Sequence, residues 1–375
     1  MRSLKSYLIT VTGSLVLAVC VLSTLIAYAF ASRAAMNIIF ENLNSLAASV
    51  SGQIERGVAS ELQILSALTL SDTFKSDTVS TQEKAASLQD FKDSDTTNLL
   101  VAVADSRGNA YTSDGSYINA SEETYFRQAI SGNNVISDPT PSILQSGTLV
   151  LVYAVPIRNE QNRITGVLYL ERDAAALSSI VSQIHIGQTG GPYVISNTTG
   201  NTIGDTSYEN VTNLENIERQ AVTDSSLSDL AALHAQMRTG QSGTGSYTYR
   251  GTNYLMSYTQ IEGQDWTVVC RAPENEFTSE IRTMLVVMLT VALIFSAIGI
   301  VIAIIIAVRL TNPIIVMSDA LDCISNGDLV IKHISMEQRE AVSRRKDEIG
   351  KMSKSLVNML MQLTQMTTNI LTAAR

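Results

Sequence analysis

Two long stretches of this chain carry no charge, and they constrain its architecture more than any other feature. From Ser6 to Ser32 it reads SYLITVTGSLVLAVCVLSTLIAYAFAS, and from Thr283 to Val308 TMLVVMLTVALIFSAIGIVIAIIIAV. Each exceeds the ~20 residues that carry an α-helix across a hydrocarbon core ~30 Å thick. The first follows Arg2 and Lys5 and ends in small residues, as a cleaved secretion signal would. Apolar signal cores, however, run only ~7 to 15 residues, and an amphipathic pattern continues past Arg33 without a break. Both stretches are therefore read as membrane spans, over 8–31 and 283–308, with 1–7 as a short cytoplasmic start.

Charge orients the spans. Residues 1–32 hold 2 Lys+Arg and no acid, residues 309–375 hold 9 Lys+Arg against 7 Asp+Glu, and residues 33–308 hold 15 against 28. Arg2, Lys5 and Arg309 beside the spans predict two cytoplasmic termini and an outer segment over 33–282, in a two-pass protein of the plasma membrane. The cysteines, Cys20, Cys270 and Cys323, then fall in three different compartments, so no internal disulfide is expected. His185, His234 and His333 lack metal-ligand spacing. No metal, cofactor, nucleic-acid partner or catalytic set is expected.

Beyond Arg33, Ile38, Ile39, Leu43, Leu46, Val50, Ile54, Val58, Leu62, Leu65 and Leu68 recur at three- and four-residue steps, which predicts one long amphipathic helix over 33–70. From Leu99 short apolar strands alternate with turns: LLVAVADSRGNAYTS, a short helix around Tyr125 to Ile130, TLVLVYAVPI, then RITGVLYLERD. A second set follows with PYVISNTTGNTIGD, a helical patch near Leu227 to Met237, GTGSYTYRGTNYLMSYTQI and DWTVVCRAP. The expectation is α+β: a stalk helix behind two tandem antiparallel-sheet modules, about 71–180 and 181–275, each with helices on one face.

In this order YFRQAI, ISDP, GTLVLVYAVPI and GVLYLE resemble the membrane-distal half of a double Cache sensor domain, a PAS-like fold. IHIGQTGGPYVISNTTGN and GTGSYTYRGTNYLMSYTQIEGQDWTVVCRAPENEF resemble its membrane-proximal half. The resemblance covers nearly all of 33–282 and implies an extracytoplasmic ligand-binding domain of a bacterial receptor. Amino-acid-binding members carry an arginine two residues before the first aromatic of the helix and an aspartate at the end of the GV strand. Those positions here are Glu123 and Glu171, and the aromatic pair is Tyr125 and Phe126, without the frequent tryptophan.

That departure changes the chemistry. A bidentate arginine grips a carboxylate, whereas a glutamate repels one. With Glu123 and Glu171 in the cavity, and Tyr111, Tyr117, Tyr125, Tyr153 or Tyr169 as cation-π walls, amines, polyamines or purines rank above α-amino acids. Three alternatives stay open: Glu123 caps the helix with Ser121, Arg127 swings inward to restore a carboxylate clamp, and Asp138 is a turn residue and not a ligand contact.

After the second span, Ile314, Met317, Leu321 and Ile324, and then Ile349, Met352, Leu356, Met359, Leu363, Met366 and Ile370, step by three and four as in packed parallel helices. Two such helices in a monomer leave the stripes uncovered, so a homodimer is expected. The segment resembles a HAMP linker over 309–363: Pro313 near the start of its first helix, Gly327-Asp328-Leu329 closing that helix, and Glu348 and Gly350 opening the second. Residues 364–375 would begin an output helix. Arg344, Arg345 and Lys346 fall in a charged connector, read as solvated or touching anionic membrane lipid.

These parts together imply the sensory region of a chemoreceptor of the methyl-accepting type, with a homodimer and cytoplasmic signalling proteins as partners and no chemistry of its own. The alternative is the sensor half of a histidine kinase or diguanylate cyclase, since both use the same parts. The sequence reaches Arg375 inside a heptad helix, and the reading frame beyond it would separate the two.

Overall fold

The computed structural model describes residues 4–331 and 334–373; Arg2, His333 and Arg375 lie outside the described residues. The chain divides into two compact units, Arg33–Ile281 and Met1–Ser32 with Arg282–Arg375.

The larger unit takes the C-terminal part of helix α1 (Leu4–Leu68), followed by the short helices α2 (Asp72–Lys75), α3 (Thr81–Ala86) and α4 (Gln89–Asp93). Then come β1 (Asn98–Asp105), β2 (Asn109–Thr112), β3 (Tyr117–Asn119), α5 (Thr124–Ile130), β4 (Val135–Ile136), β5 (Thr140–Pro141), β6 (Leu149–Arg158) and β7 (Ile164–Asp173). They form an antiparallel sheet in the order β3-β2-β1-β7-β6-β4, with β5 paired to β6. After α6 (Ala175–Ser182) a second sheet forms from β8 (Gly191–Ser196), β9 (Thr202–Asp205), β10 (Gly243–Tyr249), β11 (Thr252–Gln260) and β12 (Trp266–Pro273). Its order is β10-β11-β12-β8-β9, and α7 (Tyr208–Thr212), α8 (Ile217–Gln220) and α9 (Ser228–Met237) lie between β9 and β10 in sequence.

Leu43, Ala47, Val50, Ile54, Val58, Leu62 and Leu65 of α1 are buried in one apolar cluster with one face of both sheets, through Val103 and Leu170 of the first and Val194 and Val268 of the second. Removing each such aliphatic side chain from water contributes roughly 1.5–3 kcal/mol, which holds the helix along the sheets without help from its intrinsic propensity. The opposite face of the first sheet is covered as well, with Tyr125, Phe126 and Ala129 of α5 packed on Ala102, Val152 and Tyr169. Helices therefore flank this sheet on both faces, α1 on one and α5 on the other. The reason is visible in β1 and β7, whose runs LVAVA and VLYLE are buried without alternation, the pattern of strands covered on both sides.

The first DxxG turn is closed by Asp105, whose Oδ1 accepts from the backbone N of Arg107 at 2.8 Å and of Asn109 at 2.9 Å. Gly108 sits there at φ +89°, with a would-be Cβ 2.6 Å from the Ser121 backbone, so only glycine fits. On the α1 side, Arg172 of β7 donates to Glu61 Oε1 of α1 at 2.8 Å, to Asp95 Oδ2 at 3.2 Å and to Asn98 Oδ1 at 3.0 Å.

In the smaller unit α1 and α10 (Glu274–Ser325) each contain a stretch long and apolar enough to cross a membrane, with mean hydropathy 2.3 and 3.2. Helix α10 runs through Pro313, so the helix start expected there is not found. A proline removes one hydrogen bond, to the carbonyl four residues earlier, and a helix of 52 residues loses little by it. The carbonyl concerned, Arg309 O, accepts from Arg345 Nη1 at 3.1 Å. Arg345 also grips Asp347 through Nε at 3.0 Å and Nη2 at 2.6 Å, so this member of the basic cluster is engaged within the chain.

Helix α10 ends at Ser325. Gly327, at φ +81°, and Asp328 return their backbone N–H groups to Ile324 O and Cys323 O at 3.1 and 3.0 Å, the bonding of a glycine-terminated helix. Leu329 is half-buried. Helix α11 (Met336–Ser343) occupies the connector, and α12 (Glu348–Ala373) opens with an exposed Glu348. Gly350 is buried against the Arg345 carbonyl, where a side chain would collide. Ala320, Ile331, Ile334, Leu356 and Leu360 share a small cluster, whereas Met352, Met366 and Ile370 of the heptad stripe are 60, 65 and 68 % exposed in the single chain.

Candidate ligand site

Strand parity decides which predicted residues meet. On β7 Leu168 and Leu170 face α1, so Tyr169 and Glu171 face the other way, beneath α5. Tyr125 of α5 lies over Tyr169 with ring centroids 5.3 Å apart and planes tilted by 48°. Both hydroxyls are buried and, among the described residues, neither has a hydrogen-bond partner. Phe126 fills the apolar cluster beside them.

Glu171 is 1 % exposed. Its Oε2 accepts from Ser142 Oγ at 2.6 Å, and the Ile143 backbone N–H adds a second bond, so the loop after β5 closes over it. Burial lifts the Glu171 carboxyl above its ordinary range, against these two bonds, and the charge of Glu123 adds to the rise. Burial likewise pushes the Tyr125 and Tyr169 phenols up.

Glu123 occupies the N-cap position of α5, but its side chain makes no capping bond; it is half-buried and lines an open cleft of about 750 Å³. Tyr125, Gln128 and the 133–140 segment line the same cleft from the first sheet's side, and Gln260, Asp265 and Trp266 from the second. The lining contains three carboxylates, Glu123, Asp138 and Asp265, and no Lys, Arg or His. Two aromatic rings, Tyr125 and Trp266, complete it.

Phe126, Tyr169 and Glu171 are buried beneath α5 and do not line the cleft, and four further predicted residues lie away from it altogether. Tyr153 pairs with Leu170 across β6 and β7 and so shares its α1-facing side, where burial pushes its phenol up to about 12. Tyr111 pairs with Val103 and faces α1 for the same reason. Tyr117 is 55 % exposed at the sheet edge, with its ring against Tyr111 and its hydroxyl donating to Asn109 Oδ1 at 2.9 Å. Arg127 points outward to Glu122, its side chain 60 % exposed, because Tyr125, Phe126 and Ala129 take the buried face of this seven-residue helix. No inward clamp forms.

Asp138 is at the cleft, held across the unit: Trp266 Nε1 donates to its Oδ1 at 2.8 Å and Thr199 Oγ1 to its Oδ2 at 3.4 Å. Trp266, Asp265, Gln128 and Ser142 were not foreseen. The one available signal was that Trp266 is the only tryptophan of the chain.

A family model described as a Cache domain matches residues 31–281. Among solved structures, the ligand-binding domain of the Campylobacter jejuni chemoreceptor Tlp3, in complex with 4-methylisoleucine, is similar with a TM-score of 0.51 at 13% identity, over 65% of this chain and 94% of that one. The Pseudomonas fluorescens chemoreceptor CtaA domain with L-serine gives 0.50 at 12%, over 64% and 99%. The extracellular domain of the putative histidine kinase mmHK1S-Z2 gives 0.50 at 14%, over 65% and 98%. At these identities the likeness is one of fold. The search of curated proteins gave no match.

Proposed function

The chain belongs to the Cache domain family, and from that premise we propose that it is the sensory region of a bacterial transmembrane chemoreceptor that binds a small organic cation in the cleft its membrane-distal module forms with Asp265 and Trp266 of the membrane-proximal one. One observation carries the ligand class: the cleft is lined by Glu123, Asp138 and Asp265 with no basic side chain. A carboxylate entering it would meet only like charge, whereas an ammonium or protonated ring finds both carboxylates and aromatic faces. Amines, polyamines and purines therefore rank above α-amino acids.

The remaining parts follow this reading. The two apolar helices cross the plasma membrane with the Cache domain outside and both termini in the cytoplasm. Residues 309–363 act as a HAMP linker, and the exposed stripe of α12 speaks for a homodimer that covers it. A ligand then shifts the balance between two packings by a coupling of about 1–3 kcal/mol, and signalling proteins read it in the cytoplasm. A histidine-kinase sensor half is the second reading, favoured by the similar fold of mmHK1S-Z2; the reading frame beyond Arg375 discriminates.

The ligand class is tested by thermal unfolding of the full chain in detergent with ethylamine, a linear diamine, a purine base or acetate. Ligand at a hundredfold excess over Kd stabilises by about 2.7 kcal/mol. A shift with acetate and none with any amine or purine would sink the cationic reading.

A further inference from the structure

The loop that closes over Glu171 is tied down by the carboxylate it covers. After the two-residue strand β5, residues 142–148 turn back into β6, with the Ser142 N–H donating to Thr148 O at 2.9 Å and the Thr148 N–H to Gln145 O at 3.1 Å. Ile143 and Leu144 are 38 and 44 % exposed, whereas Ser142 is 8 % exposed. The loop thus leaves its two large apolar side chains in water and buries a hydroxyl, so the hydrophobic effect does not hold it shut. Glu171 does: its Oε2 accepts from Ser142 Oγ at 2.6 Å, and the carboxylate also accepts from the Ile143 N–H.

Glu171 lies among polar groups that the fold leaves unpaired. The Tyr125 and Tyr169 hydroxyls are buried without a partner among the described residues, and the charge of Glu171 acts on both phenols. Such groups are rare in native interiors. Tyr125 lines the cleft with one side and meets Tyr169 with the other, and Thr140 of β5 lines the same cleft two residues before the loop begins. The donors that the loop offers Glu171 are a neutral hydroxyl and a neutral amide. A protonated amine brings N–H donors with a charge behind them, and charged donors bind a carboxylate more strongly than neutral ones. Loop and cation therefore compete for the same oxygens.

We propose that residues 142–148 form an autoinhibitory lid: Ser142 and the Ile143 amide occupy Glu171 until a cation displaces them, and opening the lid joins Glu171, Tyr125 and Tyr169 to the cleft. Strand β5, held to β6 through only Thr140 and Pro141, is the hinge. On the cationic reading of the cleft, on which this lid rests, apparent affinity is reduced by the fraction of molecules in which the lid is open. The latch thereby sets the concentration at which the site responds.

Two measurements on the full chain in detergent test it: calorimetric titration with ethylamine, and hydrogen exchange at the Ile143 amide with and without that amine. Ser142→Ala removes a bond to a charged group, so it should bind ethylamine about tenfold more tightly than the parent and, free of ligand, exchange Ile143 about tenfold faster. Ser142→Thr keeps the hydroxyl and should match the parent. Saturating ethylamine should strip the protection of Ile143 in the parent. Ethylamine that binds the parent and Ser142→Ala equally, or that leaves Ile143 protected at saturation, overturns the lid while the cationic reading stands. Equal Ile143 exchange in the ligand-free parent, Ser142→Ala and Glu171→Gln overturns the lid whatever binds. If ethylamine binds neither chain and Ser142→Ala still frees Ile143, the latch is upheld and the cationic reading fails.

Discussion

Arg345 donates to the backbone carbonyl of Arg309 at 3.1 Å, and Arg309 is the residue whose helical partner Pro313 removes. A side chain 36 residues away in sequence thus takes the place of the missing amide. Arg345 and Pro313 are therefore coupled, and Pro313→Ala supplies an amide that competes for the same carbonyl. Arg345→Gln is expected to lower the thermal midpoint in the parent chain and to lower it less in the Pro313→Ala background. Equal losses in the two backgrounds would show that the bond carries no share of the stability.

Glu171 costs stability when no ligand is bound. Its carboxyl is raised above the ordinary value near 4.5 chiefly by burial, so the stability it contributes is complete below that value and is lost as pH rises through the folded value. Glu171→Gln is expected to leave the thermal midpoint equal or higher at neutral pH while weakening amine binding by about ten- to a hundredfold. A variant less stable at neutral pH, with amine affinity intact, would mean that the carboxylate is structural.

His234 has the opposite sign. Its imidazole is held at about 4 against 6.5 when free, first by burial and then by Arg271. The unfolded chain binds a proton that the folded chain refuses, so stability is full above 6.5 and falls between 6.5 and about 4. The loss amounts to roughly 3 kcal/mol. Urea unfolding across that range should show it, and His234→Gln should flatten the curve. A parent curve as flat as the variant's would contradict a neutral buried imidazole.

Trp266 gives the cleft an optical reporter. It is the only tryptophan, it is 2 % exposed, and its indole N–H is bonded to Asp138. Amine binding should change its emission with a single saturable transition. Asp138→Ala, which leaves the buried indole without an acceptor, should destabilise by about 1–3 kcal/mol. Emission that stays constant while calorimetry registers binding would place the ligand away from this wall.

How much of this was legible depended on how local each signal was. The stripe from Leu43 to Leu65 reported the α1 face directly, because helix period and burial coincide. On β6 and β7 the apolar runs hide parity, and Tyr153 and Tyr169 look equivalent until the register joins Tyr153 to Leu170. Glu171 was reached from resemblance, yet its closure by Ser142 depends on a loop that no periodicity marks. Trp266 reaches Asp138 across 128 residues, and nothing near either position announces the pair. Pro313 read as a helix start because that is where prolines commonly stand; its orphaned carbonyl and its substitute donor are a tertiary matter.

Glu171 and Arg172 are consecutive residues on one strand, and their side chains leave it in opposite directions, one to Ser142 beneath α5 and one to Glu61 of α1. A peptide plane is stiff, so a tug on the first side chain tilts the second like the two arms of a rocker. The face beneath α5 and the face that meets the long helix are then one peptide unit apart, with no relay of side chains between them. A strand built this way works as a short, hard lever, in which almost no motion is spent on the fulcrum.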